Sequence, residues 1–309
     1  MNHIGIAIEV VVGIIYNSNN EIFIAKRKKN QFMPGYWELP GGKLEPNEDH
    51  ISAIKRELLE ETGIKVIDCK LVQKIQHTYP ENKINLSVYR IDDYLGEPIG
   101  YEGQEALWIS TNKLEKFNLL PTMWRIINRF SLPKLYWITP ENHNSEEVFN
   151  ECKDRLRNDV KHIQLRSKSP LDKNYIKKIH NLCIENQAKL ILNTPKKTFS
   201  ESCDGWHLTC IELMELKERP APEDKLIGAS THNLTEAMYA ENISIDYISL
   251  SPVEETLTHP NASLLGWKNA SQIINQCDVP VFLLGGMKRD LIKKALSIGA
   301  QGVAGIRGI

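Results

Sequence analysis

The pattern of apolar and polar residues changes near residue 131, which divides the chain into two parts. In the first part, β-branched runs at 8–17 and 21–27 predict two strands of a hairpin, joined by a turn at Asn17–Asn20. Further strands are predicted at 70–77, 84–91 and 106–109, and a closing helix at 119–130. Between the early and late strands lies one helical pattern of unusual charge, at Gly41–Ile64.

From Leu135 onward, eight short apolar runs alternate with helical or polar stretches such as 172–187 and 235–242. Alternating strands and helices predict a parallel sheet, and eight such units predict a (β/α)8 barrel. Since proline disfavours helix in the residue before it, Ser131-Leu132-Pro133 is predicted to be a connector between domains at 1–131 and 134–309.

On a (β/α)8 barrel the active site lies at the carboxyl ends of the strands. The residues that fall there are Gln164, Arg166, Lys168, Asn193, His207, Ser230, His232, Ser251, Gly285 and Gly286.

The barrel pattern stops at Ile309, directly after the eighth apolar run, so the usual closing helix is absent from the sequence. An apolar seam left open to water would cost about 25 cal/mol per Å². We therefore expect a partner surface to cover it, either the first domain or a second copy of the chain in a homodimer.

The helical pattern at Gly41–Ile64 predicts one buried face and one acidic face. Ile51, Ile54 and Leu58 form an apolar stripe at steps of three and four residues. Pro46-Asn47 fits a helix start with Glu48-Asp49 in the first turn, and Gly63 fits the left-handed position after the end.

Three carboxylates lie close together on that helix. Glu57, Glu60 and Glu61 fall within an arc of roughly 100° on one face. Neighbouring anions repel one another, so the pattern favours a site that holds a cation. A solvated acidic face is the alternative interpretation of these three residues alone.

The spacing around these glutamates resembles the complete signature of the Nudix hydrolases. The matching residues are Gly42, Glu48, Arg56-Glu57-Leu58, Glu60-Glu61 and Gly63-Ile64. The resemblance implies an α/β/α sandwich that hydrolyses a nucleoside diphosphate linked to another group. It implies Mg²⁺, with Mn²⁺ as an alternative, held by Glu57, Glu60 and Glu61. Gly42 would let the backbone approach the metal site, while Glu48 and Arg56 would brace the loop against the helix.

NNEIFIAKR and the later GEP and GYEGQ resemble the MutT branch of this family, which removes 8-oxo-dGTP from the nucleotide pool and so avoids mutation during DNA replication and repair. The resemblance implies that Arg27 contacts the nucleotide and that Glu102 is a further metal ligand or the base. Glu38, Leu39 and Thr122 are expected on the substrate side. Thr122 stands where that branch carries an asparagine that reads the oxidised purine, so base selectivity is expected to be looser. A charged loop is the alternative interpretation of 26–29.

The second part resembles the thiamine phosphate synthase and TenI superfamily through QLRSK, LILNT, GWHLT, IGASTHNLTEA, LLGGM and GVAGIRGI. Three parts of the synthase pyrophosphate and metal apparatus differ here. They are Asn193-Thr194, Leu208-Thr209-Cys210, and Ser251-Pro252 with Thr258-His259. The resemblance therefore predicts a barrel without synthase activity.

A TenI-related activity remains an alternative for the barrel, since His232 matches a histidine that acts in the TenI tautomerases; a hydrogen-bonded structural histidine is the other interpretation. A phosphate-bearing ligand is a candidate for the barrel site. Its candidate residues are Arg166, Lys168, Asn193, His232, Gly285 and Gly286.

Composition narrows the class of protein. The 309 residues are 41% apolar and 25% charged, and 38 basic against 39 acidic residues give a net charge of −1. This balance argues against a nucleic-acid polymer as partner. Six cysteines without a CxxC pair indicate reduced thiols and a cytoplasmic protein. The apolar run at 4–15 contains Glu9 and is too short for a membrane span.

Three functions remain open at this point. The first is a MutT-type nucleoside triphosphate pyrophosphatase that yields nucleoside monophosphate and pyrophosphate. The second is a bifunctional thiamine-pathway enzyme, with the first domain acting on a thiamine or pyrimidine diphosphate and the barrel on a thiazole phosphate. The third combines a catalytic first domain with a barrel that serves for ligand binding or assembly.

Overall fold

The computed structural model describes residues 7–79, 82–141, 145–195, 202–256 and 263–309, with backbone alone at 76, 78, 112 and 115. The chain divides into two compact units, Met1–Phe130 (unit 1) and Ser131–Ile309 (unit 2). Within the described ranges, no helix combines the length and apolarity that crossing a membrane requires. Thr258 and His259, part of the altered synthase apparatus, lie outside the described residues.

Unit 1 contains two sheets and two α-helices. Its strands are β1 (Ile8–Ile15), β2 (Ile22–Lys26), β3 (Trp37–Glu38), β4 (Gly41–Lys43), β5 (Lys65–Thr78), β6 (Lys83–Leu95) and β7 (Ala106–Ile109). Its helices are α1 (His50–Thr62) and α2 (Pro121–Ser131), with a 3-10 helix at Thr111–Lys116. The strand order is β4-β1-β6-β5 in the first sheet and β3-β2-β7 in the second.

The apolar residues of β1 alternate between two cores, as the two-residue period of a strand requires. Val11 and Ile15 belong to the cluster that includes Ile54 and Leu58 of α1. Val12 and Ile14 belong to the cluster that includes Met123 and Ile126 of α2. Helices therefore cover both sides of the sheets, which confirms the predicted α/β/α sandwich.

The predicted hairpin of the first two strands is wrong. β1 pairs antiparallel with β4 and parallel with β6, whereas β2 pairs with β3 and β7 in the other sheet. A single bridge between Tyr16 and Ile22 is the only ladder contact that the described residues make across the turn. β1 is buried from Val11 to Ile15, and a strand buried on both faces belongs in the middle of a sheet.

Helix α1 begins later than the sequence predicts. Asp49 caps it and accepts hydrogen bonds from the backbone N–H groups of Ile51 and Ser52, so Glu48 precedes the helix. Gly63 ends it in the left-handed conformation (φ 75°), as predicted. Ile54 and Leu58 are fully buried, but Ile51 is 41% exposed, so the predicted stripe begins one turn later.

Unit 2 is a closed eight-stranded parallel barrel, as predicted. Its strands are β8 (Leu135–Ile138), β9 (His162–Arg166), β10 (Lys189–Asn193), β11 (Gly205–Leu208), β12 (Leu226–Thr231), β13 (Tyr247–Leu250), β14 (Val281–Leu283) and β15 (Gly302–Gly305). The outer helices are α3 (Ser145–Arg157), α4 (Lys173–Glu185), α5 (Cys210–Glu215), α6 (Leu234–Asn242), α7 (Gly266–Ile274) and α8 (Ile292–Ser297), with a 3-10 helix at Arg289–Leu291.

Aromatic residues fill the inside of the barrel, and their polar atoms form hydrogen bonds with one another. The hydroxyls of Tyr136 and Tyr247 lie 3.1 Å apart, and Nε2 of His162 lies 3.2 Å from the Tyr247 hydroxyl. Phe282 packs against Tyr136 with ring centroids 5.3 Å apart. The described interior is thus a packed core, and the ends of the strands are where a ligand is expected to bind.

The seam between the first and last barrel strands is occupied by residues of unit 2 itself. Trp137 and Ile309 are both buried and belong to one apolar cluster. The Trp137 indole N–H donates to the Ile306 carbonyl at 2.9 Å, and the Arg155 guanidinium lies 5.4 Å from the Trp137 ring. Arg155 also donates to the Ile309 carbonyl. The expected homodimer stays a prediction.

Candidate active site and barrel cavity

Helix α1 is tied to the preceding loop by one arginine. Arg56 Nε and Nη2 donate to the two carboxylate oxygens of Glu48 at 2.9 and 2.8 Å, and Nη2 also donates to the Lys43 carbonyl. This two-pronged ion pair lowers the pKa of Glu48 and raises that of Arg56. It fixes the loop after β4 against the helix that carries the glutamate cluster.

Glu57 lies where a side chain at position 42 would have to be. A Cβ on Gly42 would stand 2.4 Å from the Glu57 carboxylate. Glu57 also accepts a hydrogen bond from Arg56 Nη1 at 2.8 Å. Burial raises the pKa of Glu57 despite this arginine, because removal from water disfavours the ionised form.

Glu61 is the most strongly perturbed carboxyl of the cluster. Its Oε2 accepts a hydrogen bond from the Gly41 backbone N–H at 2.9 Å. Burial raises its pKa to about 8, and the charges of Glu38, Glu57 and Glu102 add to the rise. The charges of three other carboxyl groups therefore act on Glu61, and the Gly41 backbone N–H is its described hydrogen-bond donor.

The remaining glutamates are held by separate basic residues. Glu60 is 55% exposed and lies 3.3 Å from Arg56, while Glu102 accepts a hydrogen bond from Lys28 Nζ at 2.7 Å. Among the described residues, the metal-ligating atoms that converge within 4.8 Å are those of Cys210, His232 and Glu236, and not these carboxylates. Since neighbouring carboxylates repel one another, we expect a bound cation to bring these groups closer together.

The basic residues predicted to form a charged loop are distributed over three ion pairs. Lys26 pairs with Glu105 at 2.9 Å, Lys28 with Glu102, and Arg27 with Glu38. Burial raises the pKa of Glu38, and the Arg27 guanidinium partly offsets the rise. The Leu39 side chain is 1% exposed in the α2-side core, so a substrate could meet Leu39 only through its backbone.

An aromatic cluster that the sequence analysis missed lies beside Thr122. Phe32, which is 45% exposed, packs edge-to-face on Tyr79 with ring centroids 5.2 Å apart. The Tyr79 and Thr122 hydroxyls lie 3.5 Å apart, and Arg27 Nε donates to the Phe32 carbonyl. Exposed aromatic residues in loops were the signal for this cluster, since stacking surfaces of this kind suit a nucleobase.

Unit 2 has a cavity of about 1080 Å³ at the carboxyl ends of its strands. Gln164, Arg166, Asn193, His207, Ser230, His232, Ser251, Gly285 and Gly286 all line it, as predicted from their positions in the barrel. Lys168 does not line it: its side chain is 79% exposed and pairs with Glu141 at 2.9 Å. Lys288 and Arg307, which the sequence analysis did not select, also line it, and both follow a glycine-containing strand end.

His207 connects the cavity to the packed core of the barrel. Its Nε2 lies 3.1 Å from the Ser230 hydroxyl and 3.3 Å from that of Ser249. Its backbone carbonyl accepts from the Asn193 side chain at 2.7 Å. The side-chain N–H of Asn193 thus links the ends of two strands, and its side-chain carbonyl oxygen remains as the atom that could bind a ligand.

His232 is bound to a residue one helical turn away. Its Nδ1 lies 3.0 Å from Glu236 Oε2, and its backbone N–H donates to the same oxygen at 2.6 Å. Asn233 caps helix α6 by accepting from the Glu236 backbone N–H. The His232 side chain is therefore hydrogen-bonded in the structure, and its role in the barrel stays a prediction.

Comparison with known proteins assigns one family to each unit. A family profile described as NUDIX domain matches residues 11–129, and one described as thiamine monophosphate synthase matches residues 135–309. The second match spans more than half of the chain.

Individual relatives divide in the same way. An 8-oxo-dGTP diphosphatase of Haemophilus influenzae is 35% identical over 122 residues, which are 40% of this chain and 90% of the relative. A putative thiamine-phosphate synthase of Aquifex aeolicus is 31% identical over 179 residues, 57% of this chain and 96% of the relative.

Among solved structures, one from a study of MutT in Aliivibrio salmonicida and Vibrio cholerae is 32% identical, with a TM-score of 0.36, over 40% of this chain and 96% of its own. The chain therefore belongs to the Nudix hydrolases, which act on phosphoric anhydride bonds, through unit 1 and to the thiamine phosphate synthase family through unit 2.

Proposed function

We propose that unit 1 is a Mg²⁺-dependent nucleoside triphosphate pyrophosphatase whose preferred substrate is 8-oxo-dGTP. The observation that carries the proposal is the buried position of Glu61, which accepts a hydrogen bond from the Gly41 backbone N–H and lies on the same helix as Glu57. Burial raises the pKa of Glu61 to about 8, and the charges of Glu38, Glu57 and Glu102 add to the rise. A divalent cation would stabilise the ionised form of such a carboxyl group and bind the phosphates of a nucleotide. Relatives named 8-oxo-dGTP diphosphatase support the choice of nucleotide.

The donor atoms at this site suit Mg²⁺. All of them are carboxylate oxygens, the hard ligands that this ion prefers, and Gly42 leaves room for the Glu57 carboxylate, which a Cβ at that position would displace. Glu57, Glu60 and Glu61 would hold the ion, with Glu102 as a further ligand or the base. The ion would supply charge neutralisation of the triphosphate and acidify a bound water.

The protein residues have separable tasks in this proposal. Arg56 and Glu48 hold the loop so that the Gly41 N–H stays on Glu61. A carboxylate that does not hold the ion would take the proton of the attacking water, and we propose Glu102 for this role because, among the contacts described, it binds only Lys28. The products are nucleoside monophosphate and pyrophosphate.

The nucleobase is proposed to lie against Phe32 and Tyr79. These rings form an edge-to-face pair near Thr122, and Arg27 is connected to both the Phe32 carbonyl and Glu38. The Thr122 hydroxyl is already within reach of Tyr79, so it offers the base fewer hydrogen bonds than an amide would. We therefore expect stacking to contribute more to binding, and hydrogen bonding less to selectivity.

The test is a panel of 8-oxo-dGTP, dGTP, other nucleotides and thiamine diphosphate, assayed with Mg²⁺ and with Mn²⁺. We expect 8-oxo-dGTP to give the highest kcat/KM. Glu57→Gln should lower kcat by two to four orders of magnitude, roughly 10²–10⁴-fold, since it removes a charge at the reacting phosphates. Glu105→Gln, which changes an exposed carboxylate paired with Lys26, is the matched control and should retain activity. Faster turnover of thiamine diphosphate than of 8-oxo-dGTP would refute the proposal.

A second function is proposed for unit 2 as a binding site for a phosphate-bearing ligand. Its cavity is lined by Arg166, Lys288 and Arg307, and phosphate groups favour arginine because its fork of donors matches their oxygens. Calorimetric titration with thiazole phosphate tests this. Binding without turnover would support a ligand-binding barrel, whereas turnover that His232→Ala abolishes would support the bifunctional alternative.

A further inference from the structure

Three metal-ligating side chains of unit 2 converge outside the Nudix glutamate cluster. Cys210 is the first residue of α5, His232 follows β12, and Glu236 lies in α6. One ligand atom from each lies within 4.8 Å of the others. His232 and Glu236 are one helical turn apart, whereas Cys210 lies 22 residues before His232, so the barrel fold brings the cysteine to a local His–Glu pair.

The contacts within this cluster are short and polar. His232 Nδ1 lies 3.0 Å from Glu236 Oε2, and the Cys210 sulfur lies within 4.8 Å of a ligand atom of each. Glu236 is also oriented by the His232 backbone N–H at 2.6 Å and by the Asn233 side chain at 2.7 Å. The contacts from the His232 backbone and the Asn233 side chain orient the Glu236 carboxylate, and neither of them involves the imidazole or the thiol.

The donor set differs from that of unit 1. A thiolate, an imidazole and a carboxylate are the ligands of Zn²⁺ and related transition metals, whereas Mg²⁺ prefers oxygen alone. A divalent cation between these three ligand atoms would replace the thiol proton of Cys210, since a thiol binds a metal ion as the thiolate. His232 is 49% exposed, so a metal ion could enter from solvent.

We propose that Cys210, His232 and Glu236 form a Zn²⁺ site at the rim of the barrel cavity. Three protein ligands leave a fourth tetrahedral position, which is the arrangement of zinc sites that bind water or a ligand atom. His232 lines the cavity itself, as does Thr209, the neighbour of Cys210. The open position therefore serves an oxygen of water or of an anionic ligand in that cavity.

The test uses the full chain, reduced, stripped with a chelator and titrated with Co²⁺ as a spectroscopic probe. Co²⁺ bound to a thiolate gives an intense near-ultraviolet charge-transfer band, whereas Co²⁺ bound to the carboxylates of unit 1 does not. We expect one equivalent of Co²⁺ to develop this band and one equivalent of Zn²⁺ to remove it.

Three variants assign the band to the proposed ligands. Cys210→Ser should abolish it, while Cys277→Ser, a change at another partly exposed cysteine of unit 2, should leave it unchanged. His232→Gln alters a half-exposed side chain with little effect on folding, and should raise the Kd for Co²⁺ at least about tenfold. The proposal is overturned if the wild-type chain shows no band, or if the band survives in Cys210→Ser or keeps its affinity in His232→Gln.

Discussion

Gly42 is the residue at which the smallest covalent change should most disturb the glutamate cluster. In Gly42→Ala, the new Cβ would stand 2.4 Å from the Glu57 carboxylate, so the carboxylate has to move. We expect kcat for nucleotide hydrolysis to fall at least about tenfold, as misplaced catalytic groups commonly cause. Initial rates over a range of Mg²⁺ concentrations should show a raised requirement for the ion.

Thermal unfolding separates this effect from general damage. Gly42 does not have a left-handed φ, so alanine fits the backbone and the melting temperature of unit 1 should change little. A variant that unfolds early, or one that retains full activity with unchanged Mg²⁺ dependence, would contradict the role assigned to this position.

His162 should make the barrel sensitive to acid. Burial lowers the pKa of His162 to about 3; the charge of Asp204 raises it and that of Lys189 lowers it further. In the unfolded chain its pKa is about 6.5. The folded state therefore stays neutral below pH 6.5 while the unfolded state takes up a proton, so stability falls as the pH falls from 6.5 toward 3. Between pH 7 and pH 5 the loss is about 2 kcal/mol.

Urea unfolding of wild type and His162→Gln at the two pH values measures this contribution. Glutamine is neutral at both, so the variant should lose about 2 kcal/mol less than wild type on acidification. Equal acid sensitivity in both chains would mean that His162 is protonated in the folded barrel or that water reaches its unpartnered Nδ1.

At the scale of elements, periodicity identified most strands, the two helices of unit 1 and two helices of the barrel, but not the pairing of the first two strands. Gly63 marked the end of α1 because only one residue type favours that conformation. The start was ambiguous, since 46–49 offers several capping residues, and Asp49 is the one whose side chain reaches two N–H groups. The wrong prediction that β1 pairs with β2 has a similar origin. A turn at 17–20 can join two strands of one sheet or strands of two different sheets, and the spacing in the sequence does not distinguish these cases.

Site residues that lie on one helix could be predicted, because the helical repeat sets their spacing in the sequence. Site residues that come from separate loops could not be predicted in this way. Glu57 and Glu61 are close because they share α1. Phe32 and Tyr79 meet across 47 positions of sequence, and Cys210 meets Glu236 across 26, so no local pattern indicates either contact.

The loop between α5 and β12 is held to the barrel by one buried ion pair. Arg219 Nη2 donates to Asp246 Oδ2 at 2.8 Å and also to the Lys225 carbonyl, while Nη1 donates to the Ser244 carbonyl. Both charged side chains are nearly inaccessible to solvent. In Arg219→Ala the Asp246 charge would remain buried without its guanidinium, which should destabilise unit 2 by about 3–5 kcal/mol.

Chemical denaturation followed by the fluorescence of Trp137 and Trp206, both fully buried in unit 2, measures this loss. Arg157→Ala removes an exposed arginine whose partner Asp154 is equally exposed, and should change stability by less than about 1 kcal/mol. Similar losses in the two variants would show that the buried pair contributes no more than a surface contact.

At the scale of the whole molecule, each of the four apolar clusters found among the described residues draws its members from a single unit. Cooperative unfolding follows the extent of a packed core, so two sets of cores predict two transitions in scanning calorimetry. Arg219→Ala should lower the transition of unit 2 and leave nucleotide hydrolysis unchanged.

A reciprocal change in unit 1 completes this prediction. Gly41 has a φ of 145° and a Cβ there would stand 2.1 Å from the Val11 carbonyl, so Gly41→Ala should separate β4 from β1. It should lower the transition of unit 1 alone and reduce hydrolysis. A single transition, or a shift of both by either variant, would show that the two halves fold as one body, and the barrel would then have a direct influence on the nucleotide site.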